Sequence, residues 1–404
     1  MADSRASATG FGPLLANRSF LVMWLGQCVS QVADKLVFIL LVETVSHATP
    51  SARVMSLALA LHTLPNVLFG ALAGVWVDRR DKRRVMMASN LLRAALVVAL
   101  GLWGHADVAL AIALAFLIAS AAQPFIPAEA AAMPLVVPRE HLMQANSIFT
   151  TTLVGSIVVG FSVGEPLTQW LGTQGAAWVV GTGFLLSVGF LRGVRYTQPA
   201  EVAPRDQGYA AQFRQGLAYI RSRGGIRRTL AFQVVIFAMF AAMSVLAILF
   251  AKGVLKTNFS WFLAAAGGGL ALGAWLIGQL GERLRRDGAI ALGFLACGAV
   301  LGGLAGLGPA HKPLAFALAA GLGFAAAWVA VPLQTRLQEL VEEQLRGKVF
   351  GVQNTLLNLA ATLPLGAIGF VVEEVGLTPV LLALGAAMAL AGLAAWHGRL
   401  ERGA

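Results

Sequence analysis

The sequence predicts an all-α membrane protein: twelve transmembrane helices in two six-helix pseudo-repeats. Three observations predict it. The composition is apolar, apolar stretches of spanning length recur twelve times, and basic residues crowd into alternate loops. Of 404 residues, 58% are hydrophobic and 12% charged, whereas soluble chains carry about 25% charged residues. Mean hydropathy is +0.75. The chain has too little polar surface for a large soluble core.

Each apolar stretch approaches or exceeds the roughly 20 residues needed to cross a bilayer. They fall near 19–45, 54–77, 85–104, 107–131, 145–170, 174–193, 229–251, 257–280, 288–308, 312–335, 348–372 and 377–398. The N-terminal residues MADSRASATGFGPLLANRSF are polar and lack a charged-then-apolar leader, so the first span is expected to drive insertion. Between spans six and seven lies the longest polar segment. Within it, Tyr209 to Ile220 reads as a short interfacial helix with Phe213, Leu217 and Ile220 on one face. The expected organisation is therefore an N-terminal half over 1–193, a linker with its interfacial helix over 194–228, and a C-terminal half over 229–404.

Orientation follows from the basic residues. Assigning loops alternately puts 24 of the 30 Lys and Arg on one side and 4 on the other; Lys35 and Arg93 lie inside spans. Cytoplasmic loops carry the excess of Lys and Arg. Both termini are thus expected in the cytoplasm of a cell (inner) membrane protein. The net charge of +11 is a topology signal, and nucleic acid is set aside as a partner. Cys28 and Cys297 both fall in apolar segments and suggest neither a disulfide nor a metal site.

The densest charge is DRRDKRR, Asp78 to Arg84, between spans two and three. A charge at the bilayer centre costs on the order of 2.5–3.5 kcal/mol, so this run must stay in water. The halves also echo each other. Pro124 precedes Asn146-Ser147-Ile148 by 22 residues, as Pro332 precedes Asn354-Thr355-Leu356, and Gly278, Glu282-Arg283 and Arg285-Arg286 form a worn copy of the basic loop. Parallel repeats of this kind are a transporter signature.

GVWVDRRDKRR resembles the signature loop of the major facilitator superfamily, G-x-x-x-D-R-x-G-R-R/K. Gly74, Asp78, Arg79, Lys82 and Arg83 match; Asp81 stands where the family has Gly. PFIPAEAAAMPLVVPREHLMQAN and VPLQTRLQELVEEQLRGKVFGVQNTLLN resemble the drug/proton antiporter branch with macrolide-efflux and siderophore exporters, and lysophospholipid transporters share similar segments. The family's helix-4 pattern R-x-x-Q-G is not intact: Gln123 is present, with Ser120 and Pro124 in the Arg and Gly places. The resemblance implies a conformational latch at Gly74, Asp78, Arg79, Lys82 and Arg83, closing the cytoplasmic side in the outward-facing state. It also implies a cavity lined by spans one, four, seven and ten, with Gln31, Asp34, Gln123 and Gln334 as polar candidates. Span seven adds Gln233 and Ser244.

Charges inside spans are functional candidates by default. Gln27, Ser30, Gln31 and Asp34 form a polar stripe on span one at helical spacing. A carboxylate on such a stripe could load and unload a proton; the alternative is a structural ion pair. Arg93, in mid-span three, needs a buried partner, either Asp34 or Glu129. Glu129 is a gate candidate or an interfacial residue. His62 reads as a helix-packing residue rather than a proton carrier. Glu43, Glu373 and Glu374 lie near outer ends, where water is expected to reach them.

Gly160–Gly164 spells G-x-S-x-G, but it sits inside an apolar span with no preceding strand, so nucleophilic catalysis is not expected. No H-E-x-x-H or Walker A motif is present. The expected protein is not an enzyme, uses no cofactor or metal, and acts as a monomer on a small-molecule substrate with protons and lipids as partners. The function this supports is proton-coupled export of small amphipathic or hydrophobic compounds by alternating access. A lipid or lysophospholipid translocator of the same fold is the alternative, and a non-transporting membrane receptor is the alternative of another class.

Overall fold

A computed structural model describes residues 12–78, 80–138, 141–196, 209–280, 286–342 and 345–397. Among them every regular element is a helix. A short helix α1 (Gly12–Ala16) leads into α2 (Arg18–Ala48). Asn17 caps α2, accepting from the Ser19 and Phe20 amides at 3.1 and 3.2 Å. Its own side-chain amide donates to the Val136 carbonyl, which fixes the start of span one against the end of span four.

Span two is divided into α3 (Ala52–Leu68) and α4 (Gly70–Asp78), with Pro65 just before the break. Proline removes an i→i−4 hydrogen bond and kinks a helix at that point. Span three is α5 (Lys82–Trp103). Span four is divided the same way, into α6 (Val108–Ala122) and α7 (Phe125–Val136), at Gln123-Pro124. Spans five and six form one helical run, α8 (Leu142–Arg192), which reverses at Gly172. There φ is +67° and ψ 173°, a conformation that costs little only without a Cβ.

The linker carries α9 (Tyr209–Ser222). Its Ile220, Phe213 and Leu217 pack with Ile226, Leu230, Val349 and Val352 of the second half. Spans seven to twelve follow as α10 (Gly224–Leu249, prolonged by a π-helical turn Phe250–Leu255), α11 (Phe259–Leu280), α12 (Arg286–Ala305), α13 (Lys312–Leu340), α14 (Arg346–Val375) and α15 (Leu377–His397). Nine helical stretches among the described residues are each long and apolar enough to cross a membrane. With α2, the broken span two, and the two crossings held within Thr151–Arg192, they make twelve.

Within the first half α2 and α5 both pack on α8; within the second, α11 and α12 pack on α13, and α12 on α15. Two seams join the halves, α3 against α14 and α8 against α11. They are spans two with eleven and five with eight, so adding six to one pair gives the other, as parallel repeats require.

The apolar cores divide the molecule lengthwise. One core draws on both halves: Ile39, Val42, Val45, Met55 and Leu59 pack with Met239, Leu246, Phe259, Leu365 and Ile368. All the first-half members lie away from the basic loop. Nearer the loop the cores are separate. One contains only first-half residues around Phe20, Val77, Met133 and Phe149; the other contains only α9 and second-half residues around Leu230 and Leu337. Among the described residues the halves are thus fused at the far end and parted at the loop end.

Polar contacts follow the same division. At the far end, Ser51 donates to Glu373 at 2.7 Å and Arg53 pairs with both Glu373 and Glu374. Lys252 reaches Glu43 at 2.7 Å, and Glu165 accepts from the Ser260 amide at 3.0 Å, at the positive end of α11. The exposed positions of Glu373 and Glu374 agree with their expected wetting; Glu43 does not. It is 6% exposed, because Lys252 covers it from the other half. At the loop end the ion pairs Arg336–Asp287, Arg286–Glu339 and Arg223–Glu342 each stay within the second half and its linker.

Candidate functional site: a cleft between the halves

The seams fix where the cleft begins. On one side, Ser56 and Thr63 of α3 meet α14 at Leu365, Gly369 and Thr362; the two threonine hydroxyls are 3.3 Å apart. Two to three turns on, Gly74 has open space where a side chain would be. On the other side, Ile157 of α8 touches Gly267 of α11. The cleft apex therefore lies near the level of Thr63 and Ile157, in mid-span, and opens toward the basic loop.

Span one supplies the apex with charge. Asp34 forms an ion pair with Arg93 of α5. The guanidinium side chain is 1% exposed while the carboxylate is 37% exposed, so the pair presents its acid to the cleft and hides its base. The base is well held. Arg93 Nη1 donates to Asn90 Oδ1 at 2.9 Å and to Ser30 Oγ at 3.4 Å, and its guanidinium stacks 4.1 Å from the Phe184 ring centroid. Asn90 donates to Ser187 Oγ, which donates to the Gly26 carbonyl, both near 2.8 Å. Three helices, α2, α5 and α8, are thereby tied by one buried network. Of the two partners open to Arg93 in the sequence, the geometry takes Asp34.

Lys35, the next residue, packs its stem against α8. A Cβ on Gly160 would lie 2.4 Å from Lys35 Cβ, and one on Gly164 2.6 Å from Ile39 Cγ1. The G-x-S-x-G is therefore a contact face that lets two helices approach closely. Lys35 is partly exposed and has no hydrogen bond or ion pair with a described residue. His62 approaches the Ala115 carbonyl at 3.4 Å and lies within electrostatic range of Lys35.

The second half holds an amide cluster of its own, with Gln233 and Gln353 buried and Gln334 partly exposed. Gln353 Nε2 donates to Gln233 Oε1 at 2.9 Å and to Gln334 Oε1 at 2.8 Å; Gln233 donates to Gln334 at 3.0 Å. Gln233 and Gln334 were legible as polar residues on spans seven and ten. Gln353 was missed: it sits on α14 near the end of the basic GKVFGVQN segment and reads there as loop-proximal. Gln31 and Asp34, three residues apart on α2, are both partly exposed.

Gln123 stands at the break of span four, donating to Asn66 Oδ1 at 2.7 Å and to the Ala119 carbonyl. It lines a shallow groove of about 240 Å³ beside Phe69, Leu72 and Trp76, rather than pairing with the Asp34 network. Glu129 is 6% exposed on α7, among Phe125, Ala128 and Met133, and its Oε1 has no hydrogen-bond partner among the described residues. It does not meet Arg93.

In the basic loop, Asp81 caps α5 through the Arg84 amide at 2.8 Å, which explains an acid where the family has Gly. Tyr196 Oη donates to Asp81 and accepts from the Arg83 amide at 2.9 Å; Arg83 also donates to the Val194 carbonyl. Burial pushes the Tyr196 phenol above its ordinary range, so it remains a donor. Lys82 Nζ donates to the Arg80 carbonyl. Arg79, and the side chain of Asp78, lie outside the described residues, as do Glu282, Arg283 and Arg285 of the worn second copy. No cluster of metal-ligating residues occurs among the described residues.

Comparisons with known proteins place these features in a wider set. The model of the Major Facilitator Superfamily matches residues 23–364 and again 253–402. Macrolide efflux protein A of Streptococcus pyogenes is 23% identical over 86% of this chain and 87% of its own length. The multidrug efflux pump Tap of Mycobacterium tuberculosis (strain H37Rv) is 25% identical, covering 85% of each. Among solved structures, the nucleoside transporter NupG superposes with a TM-score of 0.78 at 11% identity, over 94% of this chain and 100% of the other.

Proposed function

Since the chain belongs to the Major Facilitator Superfamily, a family of multi-pass membrane transporters, we propose that it exports small amphipathic or hydrophobic compounds by alternating access, driven by protons. The observation that carries this reading is the single mid-span cleft, fused at one end and parted at the other, with a half-exposed acid at its apex. Alternating access requires such a site to face one side at a time. With the basic loop in the cytoplasm, as the 24-to-4 distribution of bases argues, the described state is inward-facing. The efflux relatives support export as the direction.

In this reading, Asp34 takes a proton when the cleft is open to water and releases Arg93 from its pair. Gln31 and Gln334, both partly exposed, offer hydrogen bonds to an uncharged part of the substrate. The loop residues Gly74, Asp78, Arg79, Lys82 and Arg83 close the cytoplasmic side in the opposite state, with Gln123 hinging span four and Glu129 gating beside it. The test is proton-driven uptake of labelled efflux substrates into inverted vesicles. Uptake by wild type that is abolished by Asp34→Asn, with normal insertion, is the expected result. Undiminished uptake by the Asn variant would remove Asp34 from coupling, and no driven uptake by wild type would overturn export itself.

A further inference from the structure

The charge balance at the cleft apex is uneven. Asp34 is neutralised by Arg93. The opposing helices α10, α11 and α13 carry no acid until Glu339, at the loop end. Glu129 is enclosed in the packing of α7 and lies within electrostatic range of Cys28, two turns or about 10 Å along α2 from Lys35. Glu43 is engaged by Lys252, and Glu165 by the start of α11. The Lys35 side chain is left over, partly exposed in mid-membrane and without an ion pair among the described residues, with His62 in range.

An ammonium in such a place is tolerated while the cleft holds water. When the loop end closes, water leaves, and an unpaired charge in a dry interior is strongly disfavoured. An anion lodged beside Lys35 removes that cost. It would find its charge met by Lys35. Its hydrophobic body would lie on the apolar side chains around Phe38 and Phe161, whose rings are 5.8 Å apart.

We propose that Lys35 is the anchor of a substrate anion, and that the compounds carried are amphiphiles with a single acidic group. The proposal rests on the central cleft being the substrate site. It also makes closure dependent on loading: the empty cleft resists closing because Lys35 would be stranded, and the loaded cleft does not.

The experiment uses the full chain in lipid nanodiscs and a matched set of probes differing only in charge: 4-phenylbutyrate, 4-phenylbutyramide and 4-phenylbutylamine. Saturable binding of labelled phenylbutyrate is measured for wild type, Lys35→Gln and Lys35→Arg, with the thermal melt of each variant as a folding control. Wild type is expected to prefer the acid over the amide and amine. Lys35→Gln should weaken the acid by about 10-fold or more, the size of a lost charge-assisted contact, and leave the amide unchanged. Lys35→Arg should keep affinity within about threefold, since the charge is retained. Competition by a single-chain acidic phospholipid would assign the anion to a lipid; competition by aryl acids alone would assign it to a soluble compound. No saturable acid binding, equal binding by Lys35→Gln, or preference for the amine would overturn the proposal. Acid binding lost in Lys35→Gln without any driven transport would instead leave the anion site standing and remove the export reading.

Discussion

Replacing Asp34 by Asn strands a guanidinium. Arg93 is 1% exposed and loses its ion-pair partner, while keeping Asn90, Ser30 and the face of Phe184. Removing one member of a buried ion pair costs about 3–5 kcal/mol. Here the acid side is 37% exposed, so cleft water takes over part of its role, and the three remaining contacts hold the cation in place. The expected loss is therefore smaller, about 2–3 kcal/mol. Arg93→Gln also destabilises, by losing the stacking on Phe184 and the bond to Asn90, but it leaves a carboxylate that water can reach. In the double variant neither charge remains. It should then be more stable than the sum of the singles predicts, with a coupling of about 2 kcal/mol. Equilibrium unfolding in mixed micelles, followed by circular dichroism across the four proteins, measures this. Additivity within about 0.5 kcal/mol would refute the pair as an energetic unit. The same proteins separate structure from coupling: a double variant that regains stability and still fails to transport protons assigns Asp34 a role beyond the ion pair.

Other perturbations follow from the same contacts. Gly164→Ala puts a Cβ 2.6 Å from Ile39 and should lower the apparent melting temperature through about 1–3 kcal/mol of overpacking; an unchanged melt would mean that the two helices separate freely. Arg53→Met removes both far-end carboxylate pairs and should raise labelling of cysteines placed at the far end while lowering it at the loop end; equal labelling would show that the apolar core alone holds that end. Gln353→Leu leaves the Gln233 oxygen without its donor, while Gln233 still donates to Gln334, and should lower stability by about 1–3 kcal/mol, whereas an isosteric Glu should do so more strongly at neutral pH than at acid pH; no pH difference would place that side chain in water.

The polar stripe on span one was legible because helical spacing alone puts Gln27, Ser30, Gln31 and Asp34 on one side of an apolar helix. The partner of Arg93 was narrowed to two acids and no further, because register between α2, α5 and α7 depends on packing of side chains far apart in sequence. Twelve spans were readable from length and hydropathy; the breaks at Phe69 and Gln123 followed Pro65 and preceded Pro124, yet proline in a membrane helix does not say whether the helix kinks or divides. Glu43 looked wetted because its neighbour one turn on, His47 at 3.5 Å, is itself exposed. Its cover, Lys252, comes 209 positions later. Gln353 needed the C-terminal half assembled before its two partners could be known. Which end of the molecule is fused was not encoded in any local pattern, since both states must be built from the same contacts in turn.

The core shared by the two halves is almost wholly hydrocarbon: Ile39, Val42, Val45, Leu59, Met239, Leu246, Phe259 and Leu365 among them. Opening that end lets water onto this surface, which raises heat capacity, as apolar exposure does in unfolding. The balance between the two states should consequently bend with temperature instead of following a straight van't Hoff line. Cooling weakens apolar association, so the seam that is tight in warmth loosens in the cold, while the ion pairs of Arg53 and Lys252 are left to hold it.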